Sequence, residues 1–299
     1  MLQRMRKAKC VIYNRLVKTG STTTDFIIDT MAKKNGFRRI FSQIHRNRTL
    51  NSKDINNLNY NLGNVSKPWV FIRHIYFWDT SFMKPAPVYI NTVRDPVERL
   101  ASEYYYHRRK IDISRRFWEK MGTFNITFDQ CVARFWPHSP NACFLWNLRS
   151  YAIQFFCGQT PECANATQEA LNIAKRNVRR HYVVVADLSD FDTFFQVLEF
   201  GMPRLFRGAG QLYYSNFHAT KKVKNKGVYT NEPSFKTVNI LKRDLSLDYE
   251  FYYFIRQRYH SFIQYLHNMG MNMSPDYGKT SKEFQSRGNF GKDGFLNLA

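Results

Sequence analysis

The amino-acid sequence predicts an α/β fold, with a central parallel sheet covered by helices on both faces. Five short apolar runs recur along the chain with helical stretches between them: residues 11–13, 37–41, 69–72, 88–93 and 181–185. Strands that do not alternate between polar and apolar residues are typical of parallel sheets buried on both faces. The first run also leads directly into a glycine-containing turn that opens a helix, a unit that suits anion binding.

The turn after the first run, Lys-Thr-Gly-Ser-Thr-Thr at residues 18–23, is predicted to cradle an anion. Gly20 allows a tight turn, and we expect Ser21 or Thr22 to cap the following helix, with Asp25 completing a capping box. The lysine, the hydroxyls and the backbone N–H groups then converge at a helix N-terminus, which favours a phosphate or sulfate. The alternative is a capped strand-to-helix turn without a ligand, because its turn chemistry would be the same.

This turn differs from a P-loop in the order of its residues. A P-loop places its lysine after the last glycine, in the first turn of the helix, whereas Lys18 precedes Gly20. Lys18 therefore leaves the strand end in front of the hydroxyls, where it can reach a bridging oxygen as well as the terminal oxygens of a bound group.

A second strand-to-helix unit follows at residues 88–102. Asp95 is predicted to cap the helix, with a proline at the first helical position. Arg94 then comes at the carboxyl end of the strand, the edge where open α/β sheets bind ligands. Arg94 offers a planar fork to a phosphate, and Ser102, under two turns into the helix, offers a hydroxyl. In the alternative interpretation, Arg94 forms a surface ion pair with Glu98 or Asp95.

The remaining segments complete the predicted architecture. Further helices are expected at residues 167–179, 190–200 and 248–269. The Asn-rich stretch at residues 47–64 is expected to be a loop or a broken helix. We predict one α/β domain over residues 1–270 and a tail or oligomer contact over residues 271–299, where Gly, Ser and Lys dominate.

The composition is strongly basic: the 299 residues have a formal net charge of +22 and an isoelectric point near 9.9. Such a charge indicates an acidic partner, which could be nucleic acid, an anionic membrane surface or a sulfated polysaccharide. The basic residues are dispersed and do not define one face. No window of about 18 apolar residues predicts a membrane-spanning helix, and no apolar region of a signal peptide follows the basic residues 1–9.

The cysteines indicate an oxidising compartment. Four of the five are close in sequence and are predicted to form two disulfides, Cys131 with Cys143 and Cys157 with Cys163. Each would close a short loop and stabilise the fold by roughly 2–3 kcal/mol in the chain-entropy model, leaving Cys10 as a buried small hydrophobe. The competing interpretation is a zinc site that uses His138. Sequons that fit a secretory protein begin at Asn47, Asn64, Asn125, Asn165 and Asn272.

The two strand-to-helix units resemble the donor-binding segments of sulfotransferases that use 3′-phosphoadenosine 5′-phosphosulfate. The Lys-Thr-Gly-Ser-Thr order of residues 18–22 is similar to their 5′-phosphosulfate loop, and Arg94-Asp95-Pro96 with Ser102 is similar to their 3′-phosphate site. Longer matches resemble the uronyl and heparan sulfate 2-O-sulfotransferases over most of the chain; they lie at residues 13–15, 71–75, 89–96, 155–158, 203–208 and 249–252. The Arg73-His74 pair is closer to the uronyl branch.

The resemblance implies an enzyme that transfers a sulfuryl group from this donor to the 2-hydroxyl of a uronic acid in heparan, dermatan or chondroitin sulfate. It implies that His74 is the general base and that Lys18 stabilises the bridging oxygen. The implied donor-binding residues are Lys18, Thr19, Gly20, Ser21, Thr22 and Thr23 at the 5′ group, and Arg94 and Ser102 at the 3′-phosphate. Arg15 and Arg73 resemble residues that meet the acidic sugar. No metal is required, because the protein supplies the positive charge.

The resemblance also implies a single-pass type II membrane protein of the Golgi lumen, with an N-terminal anchor that this sequence does not contain, and a homotrimer. Residues 107–112 and the basic loop at residues 221–227 depart from the family pattern. One alternative is a basic nucleic-acid-binding or nucleotide-kinase-like protein, which the lysine-before-glycine order and the lack of a recognisable binding module disfavour. We therefore expect no nucleic-acid partner. The other alternative is an inactive family member that only binds polysaccharide.

Overall fold

The computed structural model describes residues 1–42, 48–109, 113–136, 138–139, 142–144, 151–218 and 232–271. Its strands are β1 (Cys10–Asn14), β2 (Arg38–Phe41), β3 (Trp69–Arg73), β4 (Val88–Val93) and β5 (Tyr182–Asp187). They form one sheet in the order β2-β3-β1-β4-β5, and every pairing is parallel. The predicted fold class is therefore confirmed, and all five strands lie where the apolar runs indicated them.

The helices that connect and cover the strands are α1 (Leu2–Lys7), α2 (Ser21–Asn35), α3 (Ser52–Gly63), α4 (Pro96–Arg109), α5 (Ile113–Lys120), α6 (Phe128–Phe135), α7 (Tyr151–Cys157), α8 (Gln168–His181), α9 (Phe191–Gly201), α10 (Pro203–Phe206), α11 (Ala209–Tyr213), α12 (Phe235–Asp244) and α13 (Ser246–Asn268). Short turns of other helical types lie at Pro161–Cys163, Leu188–Asp190 and Tyr214–His218. The helices predicted near residues 167, 190 and 248 correspond to α8, α9 and α13.

Two hydrophobic clusters lie on opposite faces of the sheet. Val11 of β1 belongs to the cluster that includes Ile28 of α2. The next residue along β1, Ile12, belongs to the cluster that includes Leu100 of α4. Successive strand residues point to opposite faces, and both are fully buried. The sheet is therefore covered on both sides, which leaves its carboxyl edge as the place where the connecting loops converge.

The start of α2 differs from the prediction. Gly20 is the N-cap, with φ 80°, and no side chain caps the helix. Ser21 is already the first helical residue, so its hydroxyl does not occupy the capping position. The predicted capping box with Asp25 is wrong: the Asp25 carboxylate lies 2.7 Å from Nη2 of Arg39 instead. The predicted end of the helix is confirmed, because Gly36 follows it with φ 73° and donates its N–H to Ala32.

The Asn-rich stretch contains a regular helix, so the expectation of a loop or broken helix is wrong for α3. The side chain of Asn51 accepts the Asp54 N–H at 2.8 Å and caps the helix. Leu62 is buried against the sheet while most of the polar residues face outward. The high content of polar residues led to the expectation of a loop, but the segment is an amphipathic helix that is stabilised by tertiary packing.

Both predicted disulfides are present, Cys131–Cys143 and Cys157–Cys163. The cysteines of the alternative zinc site are therefore bonded to one another. Cys10 is buried in β1, and burial raises the pKa of its thiol to about 11, which suits a packing role.

Three of the predicted sequons, at Asn64, Asn125 and Asn165, have exposed asparagines, while Asn47 and Asn272 lie outside the described residues. Glycosylation at these positions stays a prediction. Nearly all of the tail predicted for residues 271–299 also lies outside the described part. In the described ranges, every helix is too short or too polar to cross a bilayer.

Candidate active site

A cavity of about 630 Å³ lies at the carboxyl edge of the sheet. Residues that come directly after four of the strands line this cavity: Arg15 follows β1, His74 follows β3, Arg94 follows β4 and Leu188 follows β5. Ligand sites of open α/β sheets occur at this edge, and the volume falls in the range of small-molecule pockets. The described lining residues are Arg15, Val17, Lys18, Gly20, Ser21, Thr22, Thr23, Arg48, His74, Arg94, Ser102, Glu103, Tyr106, His107, Leu188, Phe191, Tyr213 and Phe217.

The turn between β1 and α2 forms one wall of this cavity and has an unusual backbone. Lys18 has φ 63° and Gly20 has φ 80°, a region that residues with a Cβ rarely adopt. A Cβ at Gly20 would lie 2.7 Å from both Leu188 Cδ1 and Phe191 Cζ, so only glycine fits. The close approach brings the first turn of α2, whose N–H groups have no intrahelical partner, to the cavity.

Lys18 reaches the cavity from the front of this turn. Its Nζ lies 3.9 Å from the centroid of the Tyr106 ring, on α4. A cation over an aromatic face is held there electrostatically. The ammonium of this turn therefore lies against α4, and its predicted place in front of the hydroxyls stays a prediction.

The structure does not bring the Thr19 side chain into the cavity. Its hydroxyl is fully buried and donates to the Leu16 carbonyl at 3.0 Å. The Thr92 hydroxyl of β4 donates to the Thr19 carbonyl at 2.8 Å. Thr19 therefore ties the turn to the sheet through its hydroxyl and carbonyl, and its predicted contact with the donor stays a prediction.

His74 is oriented by the backbone of the first loop. Its Nδ1 lies 2.7 Å from the Arg15 carbonyl oxygen. A carbonyl can only accept, so Nδ1 carries the hydrogen and Nε2 carries the lone pair. Burial lowers the pKa of His74 to about 4, the charges of Arg15 and Arg48 add to the decrease, and the hydrogen bond and Glu103 oppose it. The imidazole is therefore neutral at physiological pH and can accept a proton at Nε2.

Arg73, the neighbour of His74, is not part of the cavity wall. Its side chain is only 4% exposed, and successive residues along a strand point to opposite faces. Burial lowers the pKa of Arg73, and the carboxylate of Asp54 on α3 opposes that decrease. Arg73 is thus buried and absent from the described cavity lining, and its predicted contact with an acidic sugar stays a prediction.

Arg15 contacts two residues of α2 through its guanidinium and His74 through its carbonyl. Its Nη2 lies 3.3 Å from Ser21 Oγ, and its Nη1 lies 3.5 Å from the carboxylate of Asp25. The carbonyl of the same residue holds His74. Arg15 thus lines the cavity and connects α2 to the imidazole, and its predicted contact with an acidic sugar stays a prediction.

Arg94 and Ser102 line the cavity from the β4–α4 unit. Asp95 accepts the N–H groups of Val97 and Glu98 at 2.9 and 3.1 Å and caps α4, as predicted. Arg94 Nε also donates to Glu98 Oε2 at 3.1 Å. The ion pair of the alternative interpretation is therefore present, and it orients an Arg94 side chain that still borders the cavity.

Several lining residues were not predicted from the sequence. On α4, Glu103 and His107 follow Ser102 and Tyr106 on the same face, and their spacing of four residues could have indicated them. Arg48 lies in a segment without a motif. The apolar wall, formed by Leu188, Phe191, Tyr213 and Phe217, contains two rings stacked 5.8 Å apart, those of Tyr213 and Phe217. No local signal identifies these residues, because tertiary packing alone brings them together.

Comparisons with known proteins agree with this architecture. A sequence model of the sulfotransferase family matches residues 4–255. Uronyl 2-sulfotransferase of Mus musculus is 30% identical over 267 residues, which cover 84% of this chain and 62% of that protein. Heparan sulfate 2-O-sulfotransferase 1 of Xenopus laevis is 33% identical over 264 residues, 83% of this chain and 70% of that protein.

The two identities are too close to assign the chain to either branch. The match spans less than two thirds of the uronyl relative's length. With the family model covering most of the sequence and the strand-to-helix units lining one cavity, the chain belongs to the sulfotransferase family and is a relative of its uronyl and heparan sulfate 2-O-sulfotransferases.

Proposed function

We propose that this protein transfers a sulfuryl group from 3′-phosphoadenosine 5′-phosphosulfate to the 2-hydroxyl of a uronic acid in a glycosaminoglycan. The observation that carries the proposal is the shared cavity of His74 and Lys18 at the N-terminus of α2. The imidazole presents a lone pair and the ammonium presents a positive charge, the two groups that an in-line displacement on sulfur needs. Family membership and the names of the relatives support the same reaction class.

The donor is proposed to lie along the wall from α2 to α4. The 5′-phosphosulfate would bind the N–H groups and hydroxyls of Ser21, Thr22 and Thr23, where the helix dipole favours an anion. The 3′-phosphate would bind Arg94 and Ser102. The apolar wall described above, with its stacked rings, suits a flat adenine base. Thr19 contributes to this site only by fixing the turn.

The reaction begins when a hydroxyl oxygen of the acceptor attacks sulfur and His74 Nε2 takes the hydroxyl proton. The bond between sulfur and the bridging oxygen breaks as the new sulfur–oxygen bond forms. The charge left on the 5′-phosphate is stabilised by Lys18 and by the N-terminus of α2. The products are a sulfate ester, 3′,5′-bisphosphoadenosine and a proton on His74, which returns to solvent.

The acceptor is proposed to bind at the end of the cavity nearest His74. Arg15 and Arg48 line that end and lower the pKa of the imidazole through their charge, so both can attract a uronic acid carboxylate. Binding an anionic sugar there would offset the two guanidinium charges and raise the pKa of His74, making it a better base. Arg73 is not assigned this role, because it is buried and does not line the cavity.

We further propose that the reaction takes place in the Golgi lumen. The two disulfides and the exposed sequons support a secretory compartment. The membrane anchor and the homotrimer implied by the family resemblance remain predictions.

Incubating the protein with ³⁵S-labelled donor and a panel of desulfated heparan, dermatan and chondroitin chains tests the proposed reaction. We expect label in the 2-O-sulfated disaccharide released from at least one polysaccharide. Absence of label from every chain, with donor binding intact, would leave a polysaccharide-binding family member. A parallel assay with γ-labelled ATP and nucleoside monophosphates tests the kinase alternative, and phosphate transfer there would overturn the proposal.

A further inference from the structure

Glu103 is the one carboxylate among the described residues that line the cavity. Its neighbours in the wall include the cations Arg15, Lys18, Arg48 and Arg94. A cavity for an anionic donor and an anionic acceptor gains nothing in affinity from a negative charge. The carboxylate therefore requires an explanation other than general attraction.

The side chain of Glu103 is held in a fixed position. It is only 3% exposed, and His107 Nε2 lies 2.7 Å from its Oε1. Oε2 is buried too, and no described atom forms a hydrogen bond with it. A buried carboxylate oxygen that accepts no hydrogen bond lowers the free energy of unfolding. In the described part of the chain, the site therefore contains an acceptor that a ligand can satisfy.

The carboxylate is ionised and acts on the catalytic histidine. Burial raises the pKa of Glu103, but the hydrogen bond and charge of His107, with the charges of Arg99 and Lys18, outweigh it and hold the pKa below its ordinary value. The charge of Glu103 in turn opposes the decrease in the pKa of His74. Glu103 and His74 line the same cavity, so the carboxylate borders the space in which the sugar that carries the reacting hydroxyl would bind.

The group that satisfies Glu103 Oε2 must be a hydrogen-bond donor. The phosphate and sulfate groups of the nucleotide are anions without a donor proton, and a carboxylate repels them. Hydroxyls remain: one on the acceptor sugar or the 2′-hydroxyl of the donor's ribose. Glu103 shares the cavity wall with His74, and the 3-hydroxyl of a uronic acid is adjacent to the 2-hydroxyl that would react at His74, so we assign Oε2 to the acceptor.

We propose that Glu103 is a specificity-determining residue that accepts a hydrogen bond from the free 3-hydroxyl of the uronic acid and rejects an acceptor sulfated at that position. This inference rests on the proposed sulfuryl transfer and adds the sulfation state that the site selects. A hydrogen bond donated by the 3-hydroxyl to the unpaired acceptor Glu103 Oε2 strengthens the correct complex, while charge repulsion weakens the complex with a 3-sulfated acceptor.

The inference is tested with three oligosaccharides that differ only at position 3 of the uronic acid, which carries a hydroxyl, no oxygen, or a sulfate. For the wild type, kcat/KM should fall in that order, by about 10-fold or more from hydroxyl to sulfate. In Glu103→Gln the glutamine side chain has nearly the same shape as the glutamate side chain, so steric effects are held constant. Its amide should raise kcat/KM for the 3-sulfate acceptor and reduce the discrimination at least several-fold.

Two further variants separate charge from folding. Glu103→Asp keeps the charge and should keep the rejection of the sulfated acceptor. Glu250→Gln removes one negative charge at an exposed ion pair with Lys175, outside the cavity, and should leave the discrimination at its wild-type value.

The inference would be overturned if Glu103→Gln kept the wild-type ratio of kcat/KM between the 3-hydroxyl and 3-sulfate acceptors. It would also be overturned if Glu103→Asp lost this discrimination as much as Glu103→Gln does. Calorimetry with 3′,5′-bisphosphoadenosine distinguishes the other hydroxyl source: a large loss of nucleotide affinity in Glu103→Gln, with discrimination intact, would assign the carboxylate to the ribose. If the wild type transfers sulfuryl to none of the acceptors, the proposed function itself fails. Transfer with no dependence on Glu103 contradicts only this inference.

Discussion

The turn between β1 and α2 and the first turns of α4 line the same cavity but are built in different ways. The turn owes its shape to the backbone, because Lys18 and Gly20 both have positive φ and the Arg15 carbonyl holds His74. Helix α4 contributes side chains at helical spacing, from Ser102 to His107, and Arg94 precedes the helix. A change in the turn should therefore disturb several groups together, whereas a change in α4 should remove one contact.

The largest effect is expected at His74, which depends on the backbone of the turn for its orientation. Replacing His74 with Ala should lower kcat by roughly 10²–10⁴-fold, the range for loss of a general base. Donor affinity, measured by calorimetry, should change little, because the imidazole is not proposed to contact the nucleotide.

His260→Ala is the matched control for this substitution. His260 is also partly buried and hydrogen-bonded, 2.9 Å from Asp190, but it does not line the cavity. The kcat of the His260→Ala variant should stay near the wild-type value. Near-normal turnover in His74→Ala would remove the base assignment.

Gly20 and Gly36 allow the steric role of the turn to be isolated. Both have positive φ, 80° and 73°, but a Cβ at Gly36 has no atom within 4 Å, whereas one at Gly20 clashes with Leu188 and Phe191. Gly36→Ala should cost only the backbone penalty, about 1–2 kcal/mol of unfolding free energy. Gly20→Ala adds overpacking and should cost about 2–5 kcal/mol. Equal shifts in urea midpoint would show that close packing does not determine the shape of the turn.

The pH dependence of stability reports the burial of His74. Its pKa is lowered to about 4 in the folded protein, against about 6.5 in an unfolded chain. Between these values the unfolded state binds more protons, so the free energy of unfolding falls as pH decreases from 6.5 to 4, by ~3 kcal/mol in total. This contribution is present in full above pH 6.5.

His74→Gln should flatten that dependence in urea unfolding followed across the same range. The glutamine can still donate an N–H to the Arg15 carbonyl but does not titrate. His138→Gln, at an exposed residue, serves as the control and should keep the wild-type slope. An unchanged slope in His74→Gln would mean that His74 is not the group whose protonation destabilises the fold.

The parts of the site that the sequence predicted correctly depend on short-range signals. Asp95 followed by proline marks the start of α4, and the apolar run before Lys18 marks β1. The failed predictions depend on partners distant in sequence. Asp25 pairs with Arg39 rather than capping α2, and Arg73 is buried and absent from the described cavity lining although it precedes His74.

The far wall of the cavity could not be predicted from any local pattern. Tyr213 and Phe217 come from the chain after β5, and Arg48 comes from the segment before α3. Aromatic and basic residues are common in this chain, so composition does not single them out. These three residues come to one edge of the sheet only through the strand order.

Calorimetric titration with 3′,5′-bisphosphoadenosine and 5′-AMP tests most directly whether the turn and α4 form one donor site. Arg94→Ala should weaken the bisphosphate by roughly 10- to 100-fold, since each charge-assisted bond contributes roughly 1.5–3 kcal/mol, and should hardly affect 5′-AMP. Lys18→Ala should weaken both nucleotides through the shared 5′ group. A wild-type protein that binds the two nucleotides equally well would contradict the proposed donor site.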